Sequence, residues 1–261
     1  MNTFLPLLAT VFTLFIFQLE ARNFHVLLTA DTITDVKRAS NKDLKHLKKE
    51  AIYIAQATGM KLHLKELSGN QLTQYRFEEW LAKSAILPDD VVFFYYTGHG
   101  LRTEKTSTMW PSIYFPPKKE VLDFHQLVRK ITSRPASLFI TIADCCNNFI
   151  DHSKSMHPFY SKGRLSKSYA PVDDREAIKK LFLHTQGLII ASGSVPGKRS
   201  WCTEKGGLFT NALLASLKAE LQEVNPQWEH LFKKAGVSCA NIQQPQFQLK
   251  IRYSKSKLSK K

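Results

Sequence analysis

From residue 24 onward, hydrophobic and polar positions alternate in blocks, and each block has the length and period of a single element. Residues 24–31, FHVLLTAD, are a short apolar run closed by polar residues, which predicts a buried strand. Over 40–59 the apolar positions Leu44, Leu47, Ala51, Ile54 and Ala55 recur at helical spacing. Ser40 and Asp43 stand as a capping pair at the start of that helix, and Gly59 stands at its stop. Residues 61–67, KLHLKEL, alternate as a more exposed strand, and 73–84, TQYRFEEWLAKS, read as a helix. The run 90–96, DVVFFYY, is apolar on both faces, as a central parallel strand requires. A helix over 119–132 and a second fully buried strand over 136–143, ASLFITIA, follow. A stretch rich in Lys, Ser and His at 151–177 is too long for an ordinary connection in a compact domain. The rhythm then resumes with a strand at 187–194 and a helix at 207–222, where Leu213, Leu217 and Leu221 share a face.

This order predicts an α/β fold, a mostly parallel central sheet with helices on both faces. Open sheets of this kind bind and react at the carboxyl ends of their strands. Two runs finish there in reactive residues: VVFFYYTGHG at 91–100 places His99 between glycines, and LFITIADCCN at 138–147 ends in Cys145 and Cys146. If those strands are neighbours, His99 and Cys146 emerge on one edge. A thiol becomes a useful nucleophile when an imidazole manages its proton. The attacked carbonyl also needs backbone N–H donors, and glycine permits close approach to the backbone. The plainer readings are a loop histidine satisfied by a neighbour and a pair of cysteines buried as small hydrophobes. The joint placement after central strands favours chemistry.

Composition changes the picture mainly at the ends. A hydrophobic share of 43% and a charged share of 23% describe an ordinary globular chain. FLPLLATVFTLFIFQLEA at 4–21 is an almost unbroken apolar run before Arg22, short for the roughly 20 residues of a spanning helix. It reads as an export signal ending at Ala21, giving a periplasmic or secreted protein; the alternative is an uncleaved membrane anchor. The net charge of +15 owes part of its size to LKIRYSKSKLSKK at 249–261, which shows no apolar period. Such a tail is expected to be solvated and able to rest on anionic surfaces. Basic residues are not interleaved with aromatics in any nucleic-acid motif, so no nucleic-acid partner is expected. The four cysteines, Cys145, Cys146, Cys202 and Cys239, are too few for a disulfide scaffold and lack zinc spacing. A Cys202–Cys239 bridge is left open.

FFYYTGHG and ITIADCCNN, in this order, resemble the caspase-like cysteine peptidases, and most closely the metacaspase type, whose motifs resemble Y-S-G-H-G and D-S-C-H-S-G. IIASGSVPGKRSW and GGLFTNALLASL look like the last strand, substrate loop and helix of the smaller subunit, so the likeness covers most of 24–222. The resemblance implies a caspase-like sandwich after a signal at 1–21. Its parts would be a large-subunit-like part at 22–150, a basic inter-subunit loop at 151–186, a small-subunit-like part at 187–249 and a Lys-rich tail at 250–261. It implies a cysteine endopeptidase acting on protein or peptide substrates after Arg or Lys. His99 would be the general acid/base and Cys146 the nucleophile, with the N–H groups of Gly100 and Cys146 as the oxyanion hole. Asp144 would lie in the pocket for the residue before the cut, with Asp31 a second candidate, an acidic group there favouring a basic head. Lys154, Lys162, Arg164 and Lys167 would be self-cleavage points within 151–177. No cofactor and no metal ligand are expected; metacaspases often need calcium, but no calcium loop stands out, and Asp173–Asp174 read as solvated charges. The Cys motif departs from the pattern in Asn147 and Asn148 and in lacking the usual Gly. Two alternatives stand beside this reading: a catalytically inactive caspase-like binding or scaffold protein, and a membrane-anchored basic adaptor.

Overall fold

In a computed structural model, residues 21–149 and 173–254 are described. The apolar run at 4–20, the four basic residues named as cleavage points and residues 255–261 lie outside them. Among the described residues, no helix is long and apolar enough to cross a membrane.

The first half of the chain lays down β1 (Asn23–Ala30), α1 (Lys37–Thr58), β2 (Lys61–Ser68), α2 (Gln74–Lys83) and β3 (Val91–Thr97). A small antiparallel sheet of β4 (Gly100–Leu101), β5 (Ser112–Phe115) and β6 (Glu120–Asp123) leads into α3 (Phe124–Thr132) and β7 (Leu138–Asp144). The second half adds α4 (Arg175–Leu183), β8 (Thr185–Ser192), the short pair β9 (Cys202–Thr203) and β10 (Gly206–Gly207), then α5 (Leu208–Glu220), α6 (Trp228–Cys239) and β11 (Gln246–Tyr253).

The main sheet has the order β11-β8-β7-β3-β1-β2, with every pair parallel except β11 against β8. The two-residue period of the central strands sorts side chains between two cores. From β3, Val91, Phe93 and Tyr95 join a core under α1, α4, α5 and α6, while Val92, Phe94 and Tyr96 join one under α2 and α3. A three-layer α/β sandwich results, as the chain pattern predicts. The register brings Thr97 opposite both Ala30 and Asp144, and Ala143 opposite Ser192, so four strands end level. The loops leaving β1, β3, β7 and β8 therefore crowd one edge.

Several expectations need correction. The helix expected from 40 begins at Lys37, its N-cap is Val36, and no side chain caps it. Ser40 and Asp43 are buried within α1 instead, because this turn packs against the sheet edge. Gly59 does close the helix, with φ 73°. Residues 120–123 form β6, and Asp123 caps α3 by accepting from Gln126 N–H, so the helix expected from 119 starts later. The region 151–186 is not loop throughout, since it contains α4 and the start of β8. Nor does the Lys-rich tail begin at 250: Leu249, Ile251 and Tyr253 turn toward the core from β11, and Lys250 and Arg252 point to solvent. That is the alternation of an edge strand, which Lys protects from further pairing.

Candidate active site

His99 and Cys146 follow adjacent strands, since β3 and β7 pair directly. Their loops are in contact. A Cβ added at Gly100 would stand 2.4 Å from Cys146 O and 2.5 Å from Cys145 Sγ, so the two loops approach as closely as only glycine permits. The His loop is also fixed from its other side, where Tyr96 Oη donates to His99 O at 2.6 Å. Cys145 is fully buried and Cys146 is partly exposed, which makes Cys146 the accessible thiol of the pair. None of the four cysteines is in a disulfide.

The strap after β8 covers the thiol. Ser200 N–H donates to Cys146 Sγ at 3.3 Å, and Sγ lies 3.5 Å from Ser200 O. Asn147 N–H donates to Lys198 O, and Gly197 N–H donates to Asn147 O, tying strap to Cys loop. The His99 ring does not hydrogen-bond the thiol; its Nε2 lies 2.7 Å from Asp35 Oδ1. Burial pushes the Cys146 thiol up, offset in part by the Ser200 N–H and reinforced by Asp144. A thiol held in its protonated form needs a base before it can attack.

Asp144 ends β7, and Asp43 reaches the same place from α1. Asp144 Oδ1 accepts from Ser200 Oγ at 2.6 Å, and Oδ2 accepts from Thr210 N–H at 2.9 Å and Thr210 Oγ1 at 2.7 Å. Asp43 accepts from Gly207 N–H with both oxygens and from Thr97 Oγ1 at 2.8 Å. The two carboxylates flank one glycine: a Cβ on Gly207 would lie 2.2 Å from Asp144 Oδ2 and 3.1 Å from Asp43 Oδ2. Asp43 is 0% exposed and Asp144 4%, and among the described residues neither has a Lys or Arg at ion-pair distance. Burial, and then the charge of Asp144, push the Asp43 carboxyl well above the usual carboxylate range. Burial also raises Asp144, although the Ser200 and Thr210 bonds oppose it.

Asp31 is engaged elsewhere. Its carboxylate accepts from Ile33 N–H, Thr34 N–H and Thr34 Oγ1, so it builds the turn between β1 and α1. Asp43 was missed as a site residue because it was read as a cap. Its place on the buried stripe with Leu47 and Ala51 was the available signal, since an acid on an apolar helix face needs a partner across the fold.

Arg102 braces the Cys loop. Its Nε donates to Asn147 Oδ1 at 3.1 Å, and its terminal nitrogens reach the carbonyls of Thr106, Thr108 and Trp110. Among the described residues, no group of three or more His, Cys, Asp or Glu is arranged to hold a metal ion. The groove of about 730 Å³ between β2 and α2, lined by Lys61, His63, Lys65 and Trp80, adjoins Asn23 and Lys61, the first residues of their strands. It lies at the opposite end of the sheet from His99 and Cys146.

A thiol and an imidazole thus stand on touching loops at the carboxyl edge of the mostly parallel sheet of an α/β domain. Residues 29–254 match the caspase domain family (Peptidase_C14), and the chain belongs to that family of cysteine peptidases. No curated protein matches the chain significantly. Among solved structures, it is similar to protein GSU0716 from Geobacter sulfurreducens, with TM-score 0.57 and 15% identity over 87% of this chain and 92% of that one. It is also similar to caspase-1 from Spodoptera frugiperda, with TM-score 0.53 and 16% identity over 88% of each chain. At these identities the likeness bears on the fold, which is that of a caspase.

Proposed function

We propose that the protein is a cysteine endopeptidase that cuts after Arg or Lys, with Cys146 as nucleophile and His99 as general acid/base. The observation that supports this reading is the contact of the two loops at Gly100, which brings the loops carrying His99 and Cys146 together at the strand ends. In the first half-reaction the Cys146 thiol proton passes to His99. The sulfur attacks the scissile carbonyl carbon, and the carbonyl electron pair moves onto oxygen, where the N–H groups of Gly100 and Cys146 receive it. Collapse expels the amine, which takes the proton from His99 and leaves a thioester. A water molecule then gives a proton to His99 and its oxygen to the acyl carbon, and the thiolate leaves and regains its proton.

The preference for Arg or Lys is supported by the buried acids. Two carboxylates held together without a cation cost stability, and a guanidinium or ammonium supplied by a substrate would relieve that cost. Asp144 keeps its role from the sequence reading, and Asp43 takes the second place in the pocket. Asp31, committed to its turn, becomes a brace. The inter-subunit stretch 151–177 remains the proposed site of self-cleavage.

One observation favours a second reading, a caspase-like binding module without turnover: the thiol is bonded to Ser200 and both acids are covered. The deciding experiment is hydrolysis of fluorogenic peptides ending in Arg, Lys or Asp by the reduced full chain, wild type beside Cys146→Ala. Turnover after Arg or Lys in wild type only is expected. Preference for Asp would refute the pocket, and no turnover with the thiol verified as reduced would establish the binding module.

A further inference from the structure

A dyad leaves open what holds the imidazole. An imidazole has two ring nitrogens, and the bond made by one sets the proton on the other. Here Nε2 of His99 is committed, 2.7 Å from Asp35 Oδ1. A carboxylate only accepts, so the ring hydrogen sits on Nε2 and the lone pair stays on Nδ1. The His99 side chain is 11% exposed and that of Asp35 36%, so a largely buried ring meets a carboxylate that reaches it from the surface.

The loop that carries Asp35 is built for the purpose. Asp31 gathers Ile33 N–H, Thr34 N–H and Thr34 Oγ1 on its carboxylate, and Thr34 O accepts from Lys37 N–H, so residues 31–37 form one bonded turn into α1. The start of that turn is tied to the His loop, because Asp31 N–H donates to Thr97 O. Asp35 is thus offered from a rigid support that shares its anchor with His99.

We infer that Asp35 is a positioning residue which, through its bond to Nε2, orients the His99 ring and leaves Nδ1 to exchange the proton with Cys146. The inference rests on the reading of His99 as the partner of Cys146. It makes the working unit Cys146–His99–Asp35, with Asp31 as the brace of the turn.

The test uses the reduced full chain as wild type, Asp35→Asn and Asp35→Ala, with Cys146→Ala as the blank. Three quantities are read: the rate of alkylation of Cys146 by iodoacetamide, followed by mass spectrometry; kcat and KM on an Arg peptide; and the tautomer of His99 from its imidazole ¹⁵N shifts. The expected result for Asp35→Ala is a fall in kcat of about 10- to 100-fold with KM within about 2-fold, the pattern of lost positioning rather than lost binding. Alkylation slows, and the His99 signal moves from the Nε2–H form to a mixture of both forms. Asp35→Asn, which keeps an acceptor without the charge, falls between. Both variants should melt like wild type because Asp35 lies at the surface. The inference is overturned if both variants keep wild-type kcat, alkylation rate and tautomer. If wild type fails to cut peptides while Asp35→Ala still slows alkylation and shifts the tautomer, the peptidase reading falls and the positioning role stands.

Discussion

Replacing Gly100 by Ala tests the contact on which the site depends. The new methyl would meet Cys146 O at 2.4 Å, Cys145 Sγ at 2.5 Å and Cys145 Cβ at 2.8 Å, where ordinary contact begins at 3.4 Å. The Cys146 carbonyl must therefore retreat by about 1 Å, or the His loop must, and neither is a flexible side-chain end. Overpacking of this kind costs about 1–3 kcal/mol. For a domain of this size each kcal/mol shifts Tm by roughly 2–4 °C, so a fall of roughly 2–12 °C is expected. A displacement of about 1 Å between reacting groups also costs about 100-fold in rate. Thermal unfolding by circular dichroism reads the first effect, and peptide turnover at a temperature where the variant is folded reads the second. Gly236→Ala is the control, since no atom lies within 4 Å of its added Cβ and it sits inside α6. There the loss of glycine should stabilise by about 0.5–1 kcal/mol. A Gly100→Ala protein that melts within about 1 °C of wild type would show that the two loops are not packed as described.

Asp43→Asn should change how stability depends on pH. The folded carboxyl titrates well above its ordinary value of 3.8, so above about pH 4 the folded state keeps a proton that the unfolded state has released. Its contribution is largest in acid and declines as pH rises toward the folded value; urea unfolding from pH 4 to 8 should show a shallower decline in the variant and greater stability near neutrality. Unchanged slopes would mean that Asp43 is not strained. Under the proposed function the same variant should lose turnover after Arg and Lys. Arg102→Met leaves Asn147 Oδ1 and the Thr106, Thr108 and Trp110 carbonyls without their donor. A loss of about 2–4 kcal/mol, seen as a lower urea midpoint at constant slope, is expected, and a change under about 0.5 kcal/mol would remove Arg102 as the brace. Trp228 stacks against Phe232, meets Phe182 edge-on and donates to Leu181 O. Trp228→Ala should cost about 3–5 kcal/mol by the same measurement, and a small loss would show that α6 is not part of the core.

The central strands were legible because burial on both faces leaves few ways to write them: VVFFYY and LFITIA admit little but apolar residues, and glycine or polar residues mark their ends. The placement of His99 and Cys146 after them followed from the rule that parallel sheets work at their carboxyl edge. The tail was harder. Lys250, Arg252 and the lysines beyond them hid the alternation of Leu249, Ile251 and Tyr253, because an edge strand half open to water carries only half a pattern. Helix α6 is absent from the elements predicted above although its signal is local: Trp228, Leu231, Phe232, Ala235 and Cys239 recur at helical spacing.

Asp43 marks the boundary between the two kinds of knowledge. Locally, an acid three residues after a serine looks like a cap, and only the approach of Gly207, 164 residues away, makes it a buried acceptor. Asp35 is similar: its neighbours in sequence give it no role, and His99, 64 residues on, gives it one. By itself, then, the sequence determined the central strands, the class of fold and the two loops that carry reactive groups, because these follow from period and local turn chemistry. The tertiary structure alone decided which carboxylate serves the imidazole, which pair is buried together and what covers the thiol. Those outcomes depend on directional hydrogen bonds between residues far apart in the chain, and a polar side chain's partner is set by what the fold brings within about 3 Å.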